Sequence, residues 1–381
     1  MGQMAEAVSA SVSVPRLTDL AIGGLERTFD AQRQLFCFRV KRTPAGLVRE
    51  GHSYRYTAIS MLGLRRLEIA GQRSPVAITP VFDRLLRSPD WVDNLGDLGL
   101  LLWLGALACP EKVKEIDSRW GLEHALDRSR ETRDGRTMEV AWFLSGLAHA
   151  SMAMSHQRSR FERLAFEAYR LLIRNQGPRG AFGHLATRGS VAGQVRGRIG
   201  SFADQVYPIY ALTQFATAHG VETALAAAMR CAENICRLQG PWGQWWWHYD
   251  AWSGEVSQQY PVFAVHQDGM APMALLTLGE VAAIDFDESV SKGLNWIAGA
   301  NELAYDMRDA SRAVIWRSFE VGNKYKQVIR NALKLLGIDG RVEEGCSVKV
   351  NCECRPYHLG WLLYAYAGRN VSPLSSADQA V

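Results

Sequence analysis

The chain has 381 residues, of which 48% are hydrophobic and 22% charged, and its 43 Lys and Arg against 39 Asp and Glu give a formal net charge of +4. These proportions are typical of a globular protein and exclude a fibrous or largely disordered one. The basic residues are spread along the chain rather than gathered into a stripe, so we expect no nucleic-acid partner.

Three features of the sequence bear on the compartment. The most apolar stretch, Leu95 to Cys109, is shorter than the roughly 20 residues that a membrane span requires, and it contains Asp97. The N-terminus has neither a basic start nor a hydrophobic segment, unlike a secretory signal. The odd number of cysteines, 7 in all, fits reduced thiols better than a disulfide framework. We therefore expect a cytoplasmic protein without a membrane span.

The spacing of apolar residues predicts an all-α fold, because runs of alternating polarity long enough for a sheet are almost absent. One set of predicted helices is apolar on nearly every side and would be buried: Tyr54 to Ile69, Leu95 to Ala108, Met138 to Ala153, Phe202 to Ala218, His266 to Val281 and Tyr357 to Ala367. A second set is amphipathic and would cover the outside: Thr79 to Arg87, Glu111 to Leu126, Arg160 to Arg174, Val221 to Leu238 and Asp287 to Ala300.

The two kinds of helix alternate along the chain. A further helix near Leu17 to Gln32 can supply a sixth outer element. Six inner helices surrounded by six outer ones make an (α/α)6 toroid of helical hairpins, with long Gly- and Trp-rich loops at one end.

An internal repeat supports related hairpins. Gln176-Gly177-Pro178-Arg179-Gly180 recurs as Gln239-Gly240-Pro241-Trp242-Gly243, each time at the end of an amphipathic helix. Gly and Pro at such positions stop a helix. Each copy is followed by a loop and by a buried helix that opens with an Asp four residues before a Pro, namely Asp204 before Pro208 and Asp268 before Pro272.

The long Gly-rich loops lie inside this repeat rather than between unlike halves, which favours one domain. We expect a single toroid domain over residues 15–370. Residues 1–14 and 371–381 are predicted to be flexible ends.

Acidic residues stand near the beginning of four predicted inner helices. They are Asp97, Glu139, Asp204 and Asp268. Buried acids cost several kcal/mol each unless they are paired, so such a ring indicates a solvated site or an acid and base pair. Asp204 and Asp268 can also simply cap their helices. We predict Asp204, Asp268 and Glu139 as catalytic acids or bases.

Further polar residues lie near the same helix starts. His266 and His358, with Tyr357, can assist proton transfer. Arg55 and Arg355 can hold a carboxylate or a phosphate through two parallel hydrogen bonds.

The segment from Trp242 to Trp252 contains five Trp in eleven residues. Aromatic faces stack on sugar rings or shield cations, and the alternative is an aromatic plug that fastens a long loop. We predict substrate contacts from the aromatic residues Trp245, Trp246, Trp247, Trp252 and Tyr54.

No cofactor or metal is expected. Cys346, Cys352, Cys354 and His358 do not match the spacing of common zinc sites. The nucleophile-elbow motif G-x-S-x-G and the phosphate-binding motif G-x-x-x-x-G-K-[ST] are missing from the sequence, which removes the usual support for acyl transfer and nucleotide hydrolysis.

The hairpin pattern resembles two groups of α/α toroids. The segments Trp246 to Gly269 and Arg355 to Trp361 look like the clefts of six-hairpin carbohydrate-active enzymes, namely glycoside hydrolases, polysaccharide lyases and uronyl epimerases. In that group, acids, His, Tyr and Arg from inner helix ends act in an aromatic-lined cleft. The segment Gln239 to Trp245 is similar to the Gln and Trp repeats of terpenoid cyclases and prenyltransferases, but a D-x-D-D motif is absent. The nearest spelling, Asp285 to Glu288, starts an outer helix.

We therefore expect an enzyme that uses general acid and base chemistry on a saccharide or polysaccharide, with uronate-containing saccharides among the candidates. The alternatives are a terpenoid cyclase or prenyltransferase-like enzyme and a non-catalytic toroid that binds glycan or protein. The sequence leaves open the substrate, the choice between hydrolysis, elimination, epimerisation and cyclisation, and the oligomeric state.

Overall fold

The computed structural model describes residues 12–131, 135–154, 158–185, 197–321 and 348–369. Within these ranges the helices are α1 (Val14–Thr28), α2 (Tyr54–Ile69), α3 (Ile78–Arg87), α4 (Leu95–Ala108), α5 (Val113–Trp120), α6 (Leu122–Glu131), α7 (Thr137–Ala153), α8 (Arg158–Ile173), α9 (Ala203–His219), α10 (Glu222–Arg237), α11 (Ala271–Ala282), α12 (Asp287–Ile297) and α13 (Pro356–Tyr366). A π-helical turn, His266–Met270, leads directly into α11. Most of the predicted flexible ends fall outside these ranges.

The six apolar helices form a closed inner ring. Each of α2, α4, α7, α9 and α11 contacts the next in this order, and α13 packs against both α11 and α2. The outer helices α1, α3, α5 with α6, α8, α10 and α12 pack on this ring from outside. The predicted all-α toroid of helical hairpins is confirmed.

The ring closes where α2 and α13 approach each other at Gly63 and Gly360. A Cβ atom on Gly63 would lie 2.2 Å from the carbonyl oxygen of Gly360. Only glycine at this point allows the two backbones to come so close. The small residues of the apolar helices are therefore what allows the ring to close.

Aromatic side chains fill the interior of the ring. The rings of Trp103 and Tyr210 stack at 4.8 Å, and the hydroxyl groups of Tyr210 and Tyr364 lie 2.6 Å apart. His149 Nε2 lies 2.9 Å from the Tyr210 hydroxyl, and burial lowers the pKa of His149 to about 3, which keeps the ring neutral. The middle of the toroid is thus a packed core.

The outer element that was predicted as one helix over Glu111 to Leu126 is divided in the structure. A short 3₁₀ turn, Pro110–Lys112, comes first, and Gly121 then separates α5 from α6. Gly121 has a φ of 60°, the left-handed conformation in which glycine commonly ends a helix. The single-helix prediction was wrong because it passed over this glycine.

The strands are short apart from one hairpin. They are β1 (Phe29–Asp30), β2 (Leu35–Thr43), β3 (Gly46–His52), β4 (Ile199–Ser201), β5 (His248–Asp250), β6 (Val256–Gln258), β7 (Val262–Phe263), β8 (Arg308–Asp309), β9 (Val314–Ile315), β10 (Ser318–Val321), β11 (Val348–Asn351) and β12 (Glu353–Cys354). All of their pairings are antiparallel.

The hairpin of β2 and β3 contradicts the expectation that strands long enough for a sheet are almost absent. β2 begins with three buried residues in succession, so it lacks the alternation that marks a half-buried strand. It pairs with β1, β3 and β12 in a sheet beside the start of α13. In the described part of the chain, no helix combines the length and the apolar character needed to cross a bilayer.

The repeated QGPxG turns generate a prediction about stability. Gly243 has a φ of 89°, and a Cβ atom there would lie 2.3 Å from the carbonyl oxygen of Lys292. Gly220 has a φ of 70° but no heavy atom within 4 Å of an added Cβ atom. Gly220→Ala should therefore cost about 1 kcal/mol of unfolding free energy through backbone strain alone. Gly243→Ala should cost roughly 3 kcal/mol because overpacking adds to the strain.

Urea-induced unfolding of both variants measures this difference. Equal losses of unfolding free energy for the two variants would show that the turn at Gly243 relaxes away from α12.

Candidate active site

The inner helices begin at the same end of the ring, since residues in their first turns contact one another. Arg55 of α2 reaches Asp97 of α4, and the backbone amide of Met138 in α7 donates to Asp204 of α9. We call this end the rim, defined by Arg55, Asp97, Glu139, Asp204, Asp268 and His358. The rim includes five of the thirteen predicted site residues, namely Arg55, Glu139, Asp204, Asp268 and His358.

Arg55 and Asp97 form a two-point ion pair at the rim. Arg55 Nε donates to Asp97 Oδ1 at 2.6 Å, and Nη2 donates to Oδ2 at 2.8 Å. The Asp97 side chain is 1% exposed, whereas the Arg55 side chain is 39% exposed. The cation therefore faces solvent and the carboxylate lies beneath it.

Glu139 forms no close ion pair of this kind with the residues that the structure describes. Its side chain is 12% exposed, and Arg136 Nη1 lies 3.8 Å from Glu139 Oε1. Burial raises the pKa of Glu139, although the charges of Arg136 and Arg55 oppose the shift. A carboxyl group that keeps its proton above the usual pH range and still reaches solvent is suited to act as a general acid.

Asp204 is fully buried and receives several hydrogen bonds. Its Oδ1 accepts from the Met138 amide at 3.1 Å. Its Oδ2 accepts from the backbone amide and the hydroxyl group of Ser201, both at 2.8 Å, and lies 2.9 Å from His184 Nδ1. Met138 belongs to α7 and Ser201 precedes α9, so these contacts are not the predicted capping of the helix that carries Asp204. Asp204 instead anchors partners from both elements.

His184 is the exposed partner of Asp204. Its side chain is 42% exposed, and the hydrogen bond that its Nδ1 donates to the Asp204 carboxylate raises the pKa of the imidazole. No pattern in the sequence singled out this histidine. The pair favours the imidazolium form of a ring that is open to solvent at the rim.

His248 lies beside this pair on β5, where its backbone is paired with that of Ser201 on β4. Its Nδ1 lies 2.9 Å from Gln258 Oε1. Burial lowers the pKa of His248, and the charges of Asp204 and His184 act on it from nearby. It was also missed from the sequence.

The equivalent positions in the two copies of the repeat are not the ones that the sequence suggested. Gln205 Oε1 accepts from the Phe182 amide at 2.7 Å, and Gln267 Oε1 accepts from the Trp245 amide at 3.1 Å. Phe182 and Trp245 follow the two QGPxG turns at the same distance. The equivalent residues are therefore the two glutamines, and pairing Asp204 with Asp268 by their distance from a proline misaligned the copies.

Asp268 and His358 form a buried pair on two neighbouring inner elements. Asp268 Oδ1 lies 2.6 Å from His358 Nε2, with side-chain exposures of 0% and 4%. Asp268 Oδ2 has no hydrogen-bond partner among the described residues. Asp268 lies on the π-helical turn, a local irregularity that is frequent at functional sites.

His266 is enclosed by aromatic rings. Its ring stacks on Trp247 at 6.0 Å and lies 4.5 Å from Phe202. Burial lowers its pKa to about 3. His266 Nδ1 has no hydrogen-bond partner among the described residues. A neutral imidazole enclosed by aromatic rings gives little support to the predicted proton transfer.

Tyr357 and Arg355 lie at the start of α13 against Tyr56. The rings of Tyr357 and Tyr56 are 4.5 Å apart, and Arg355 Nη1 donates to the Tyr56 hydroxyl at 2.7 Å. Burial raises the pKa of Tyr357 to about 12. Arg355 also pairs with Glu353, which it shares with Arg317 and Arg39. Both predicted residues are thus held firmly within the fold.

The tryptophans of the segment Trp242 to Trp252 differ in how deeply they are buried. Trp245 is fully buried and Trp246 is 6% exposed, so the aromatic-plug alternative describes them better than substrate stacking. Trp247 is half-buried and contacts His248 and His266. Trp252 is 69% exposed and remains open to a ligand.

Tyr54 sits beneath the rim, where its hydroxyl accepts from Arg84 Nη2 at 2.9 Å. Its ring stacks on Trp91 at 6.2 Å. These contacts hold Tyr54 against the outer helix α3 and the turn that follows it.

The segment Asp285 to Glu288 lies at the other end of the toroid. Asp285 and Asp287 line a pocket of about 460 Å³ together with Glu280 and Arg369, beyond the end of α11. Cys346, the first residue of the rejected zinc pattern, lies outside the described ranges, and His358 Nε2 faces Asp268.

The fold is shared with known carbohydrate enzymes, as comparison with solved structures shows. An unsaturated glucuronyl hydrolase responsible for the degradation of glycosaminoglycan, from Bacillus sp. GL1, aligns with a TM-score of 0.58 and 15% identity, over 93% of this chain and 96% of that one. A possible member of the GH105 family from Klebsiella pneumoniae aligns with a TM-score of 0.58 and 9% identity, over 97% and 94%. A glycosyl hydrolase family 88 protein from Bacteroides vulgatus gives 0.56 and 12%, over 94% and 99%. No family model and no curated protein matches the sequence.

The His184 and Asp204 pair generates a titration prediction. In the native protein, the pKa of His184 should lie above the ordinary 6.5, because the Asp204 carboxylate stabilises the imidazolium. Asp204→Asn removes that charge while burial continues to disfavour the imidazolium, so the pKa should fall below 6.5. NMR titration of the imidazole signals measures both values.

His124, which is exposed on the outer helix α6, is the control for a local effect. If the His184 signal titrates identically in the two proteins, then Asp204 does not set its charge.

Proposed function

We propose that the protein is a carbohydrate-active hydrolase whose site is the rim, with Glu139 as the general acid. The observation that carries the proposal is the state of Glu139, a largely buried carboxyl group with a raised pKa at the start of an inner helix. Its burial favours the protonated carboxyl group, which can donate to the oxygen of a leaving group. The shared fold with glycoside hydrolases supports the reaction class.

The substrate in this proposal is an anionic saccharide that carries a uronate. The rim supports this choice because its acids are hidden and their cationic partners are exposed. Asp97 and Asp204 are 1% and 0% exposed, whereas Arg55 and His184 are 39% and 42% exposed. Arg136 is 57% exposed. An approaching ligand therefore meets positive groups, which attract carboxylates. One structural neighbour is an unsaturated glucuronyl hydrolase.

The other predicted residues take supporting roles in this proposal. Asp204 and Asp268 hold His184 and His358 in place rather than transfer protons to substrate. Trp252 is the aromatic residue best exposed to stack on a sugar. Arg355 and Tyr357 would line the proposed substrate site on the side of α13.

The compartment in the proposal is the cytoplasm. Six cysteines of the described residues are unpaired, and four of these are buried. Burial raises the pKa of Cys37 to about 11. Unreactive thiols of this kind fit a reducing compartment.

Glu139→Gln tests the reaction. The purified protein is assayed on uronate-terminated disaccharides with and without a C4=C5 double bond, and on neutral disaccharides. The variant should lose a factor of about 10² to 10⁴ in kcat, which is the usual contribution of a general acid. Its thermal midpoint should not fall, because the variant removes a buried ionisable group without removing volume.

Glu288→Gln is the matched control, since the Glu288 side chain is 82% exposed on the outer helix α12. It should keep the native kcat. Undiminished turnover by Glu139→Gln would overturn the assignment of the acid. Binding of saccharides without turnover, lost on Trp252→Ala, would instead indicate a non-catalytic glycan-binding toroid.

Arg136→Gln tests the substrate class. Removing this exposed cation should raise KM for a uronate-terminated substrate about fivefold, equivalent to about 1 kcal/mol, with little change in kcat. The same variant should leave KM for a neutral saccharide unchanged, and high salt should weaken the effect. An equal rise of KM for both substrates would remove the argument for an anionic one.

A further inference from the structure

His248 is fixed in one tautomer by a chain of two hydrogen bonds. Gln258 Nε2 donates to the carbonyl oxygen of Tyr260 at 2.8 Å, which orients the amide so that Oε1 faces the imidazole. That oxygen lies 2.9 Å from His248 Nδ1 and can only accept. His248 therefore carries its proton on Nδ1, and Nε2 presents a lone pair.

The position of His248 follows from the sheet of β4, β5 and β6. On one side His248 is paired with Gln258, and on the other side with Ser201, whose amide and hydroxyl group bind Asp204. His248 therefore lies beside Ser201, which binds Asp204, the hydrogen-bond partner of His184. A strand held on both edges is a rigid platform for a side chain that must be oriented.

The groups that face His248 act on its charge in opposite directions. Asp204 favours the protonated ring, whereas His184 and the burial of the ring favour the neutral one, and burial is the largest effect. A neighbouring His266 also interacts with His248, and its own low pKa keeps it uncharged. The environments of His184 and His248 therefore push their pKa values apart, and His248 is the one of the two that favours the neutral ring, which can accept a proton.

We infer that His248 is the general base of the reaction at the rim, with Nε2 accepting a proton from the attacking water. This inference rests on the proposed function. As the water oxygen bonds to the anomeric carbon, the water proton passes to Nε2 and the C–O bond to the leaving group breaks. Glu139 supplies the proton that the leaving oxygen takes up. The two proton transfers balance, and the later return of a proton from His248 to Glu139 through solvent restores both groups.

His248→Gln is the first test. The variant should lose at least 10²-fold in kcat with little change in KM, because a base acts on water rather than on substrate binding. The base must be neutral, so native activity should fall as the pH drops through a pKa below the ordinary 6.5. The residual activity of the variant should lack this acidic limb of the pH profile.

Gln258→Glu separates a base from a merely structural histidine. A carboxylate at Nδ1 stabilises the imidazolium, so the acidic limb should move about one pH unit or more upward while activity at high pH persists. A structural histidine would leave the limb where it is. Glu255→Gln is the matched control, since Glu255 lies on the same hairpin and is 55% exposed.

Nitrogen-15 NMR of His248 provides a readout that needs no substrate. The expected signal is that of a neutral ring with the proton on Nδ1, and a ring with the proton on Nε2 would overturn the inference. An active His248→Gln variant that keeps the acidic limb would also overturn it, while leaving the hydrolase intact. Failure of the native protein to turn over any saccharide would instead remove the proposed function, and the base with it.

Discussion

The inner helices begin at one end of the ring, so the positive ends of their dipoles and their unpaired amide groups converge on the rim. This constraint selects carboxylates there, and Asp97, Glu139, Asp204 and Asp268 occupy it. Because the interior below is filled by rings such as Trp103 and Tyr210, the polar groups cannot extend down the axis. The fold thus concentrates the ionisable groups in a thin layer at one end.

The chemical role open to each carboxylate depends on how many hydrogen bonds it already accepts. Asp97 and Asp204 each accept several hydrogen bonds, including an arginine or a histidine partner, and are closed to solvent. Their negative charge is matched within the fold. Among the described residues, Glu139 has only a distant cation, and its side chain is partly exposed. Asp268 contacts His358 through one oxygen and is closed to solvent. Of the four acids, Glu139 is therefore the one that the contacts leave as a candidate donor.

The sequence was sufficient for the ring but not for the roles at its rim. Apolar helices such as Tyr54–Ile69 and Leu95–Ala108 have the predicted bounds, because a segment buried on every side leaves a clear pattern. The strand Leu35–Thr43 was missed since its buried residues do not alternate. His184 in a loop and His248 on the three-residue strand β5 were missed because neither position belongs to a periodic pattern that marks a functional side chain. One signal was present, since they follow Gln176 and Gln239 by eight and nine residues respectively.

The difference between these two histidines comes from the residue behind each one. His184 is hydrogen-bonded to the carboxylate of Asp204, whose charge outweighs the burial of the ring, so the pKa of His184 rises. His248 is hydrogen-bonded to the amide of Gln258, which carries no charge, so burial prevails and the pKa of His248 falls. Both rings keep Nδ1 engaged, and both residues follow a QGPxG turn, at positions that differ by one residue. The partner behind each ring, an acid in one case and an amide in the other, therefore gives the two histidines opposite tendencies to hold a proton.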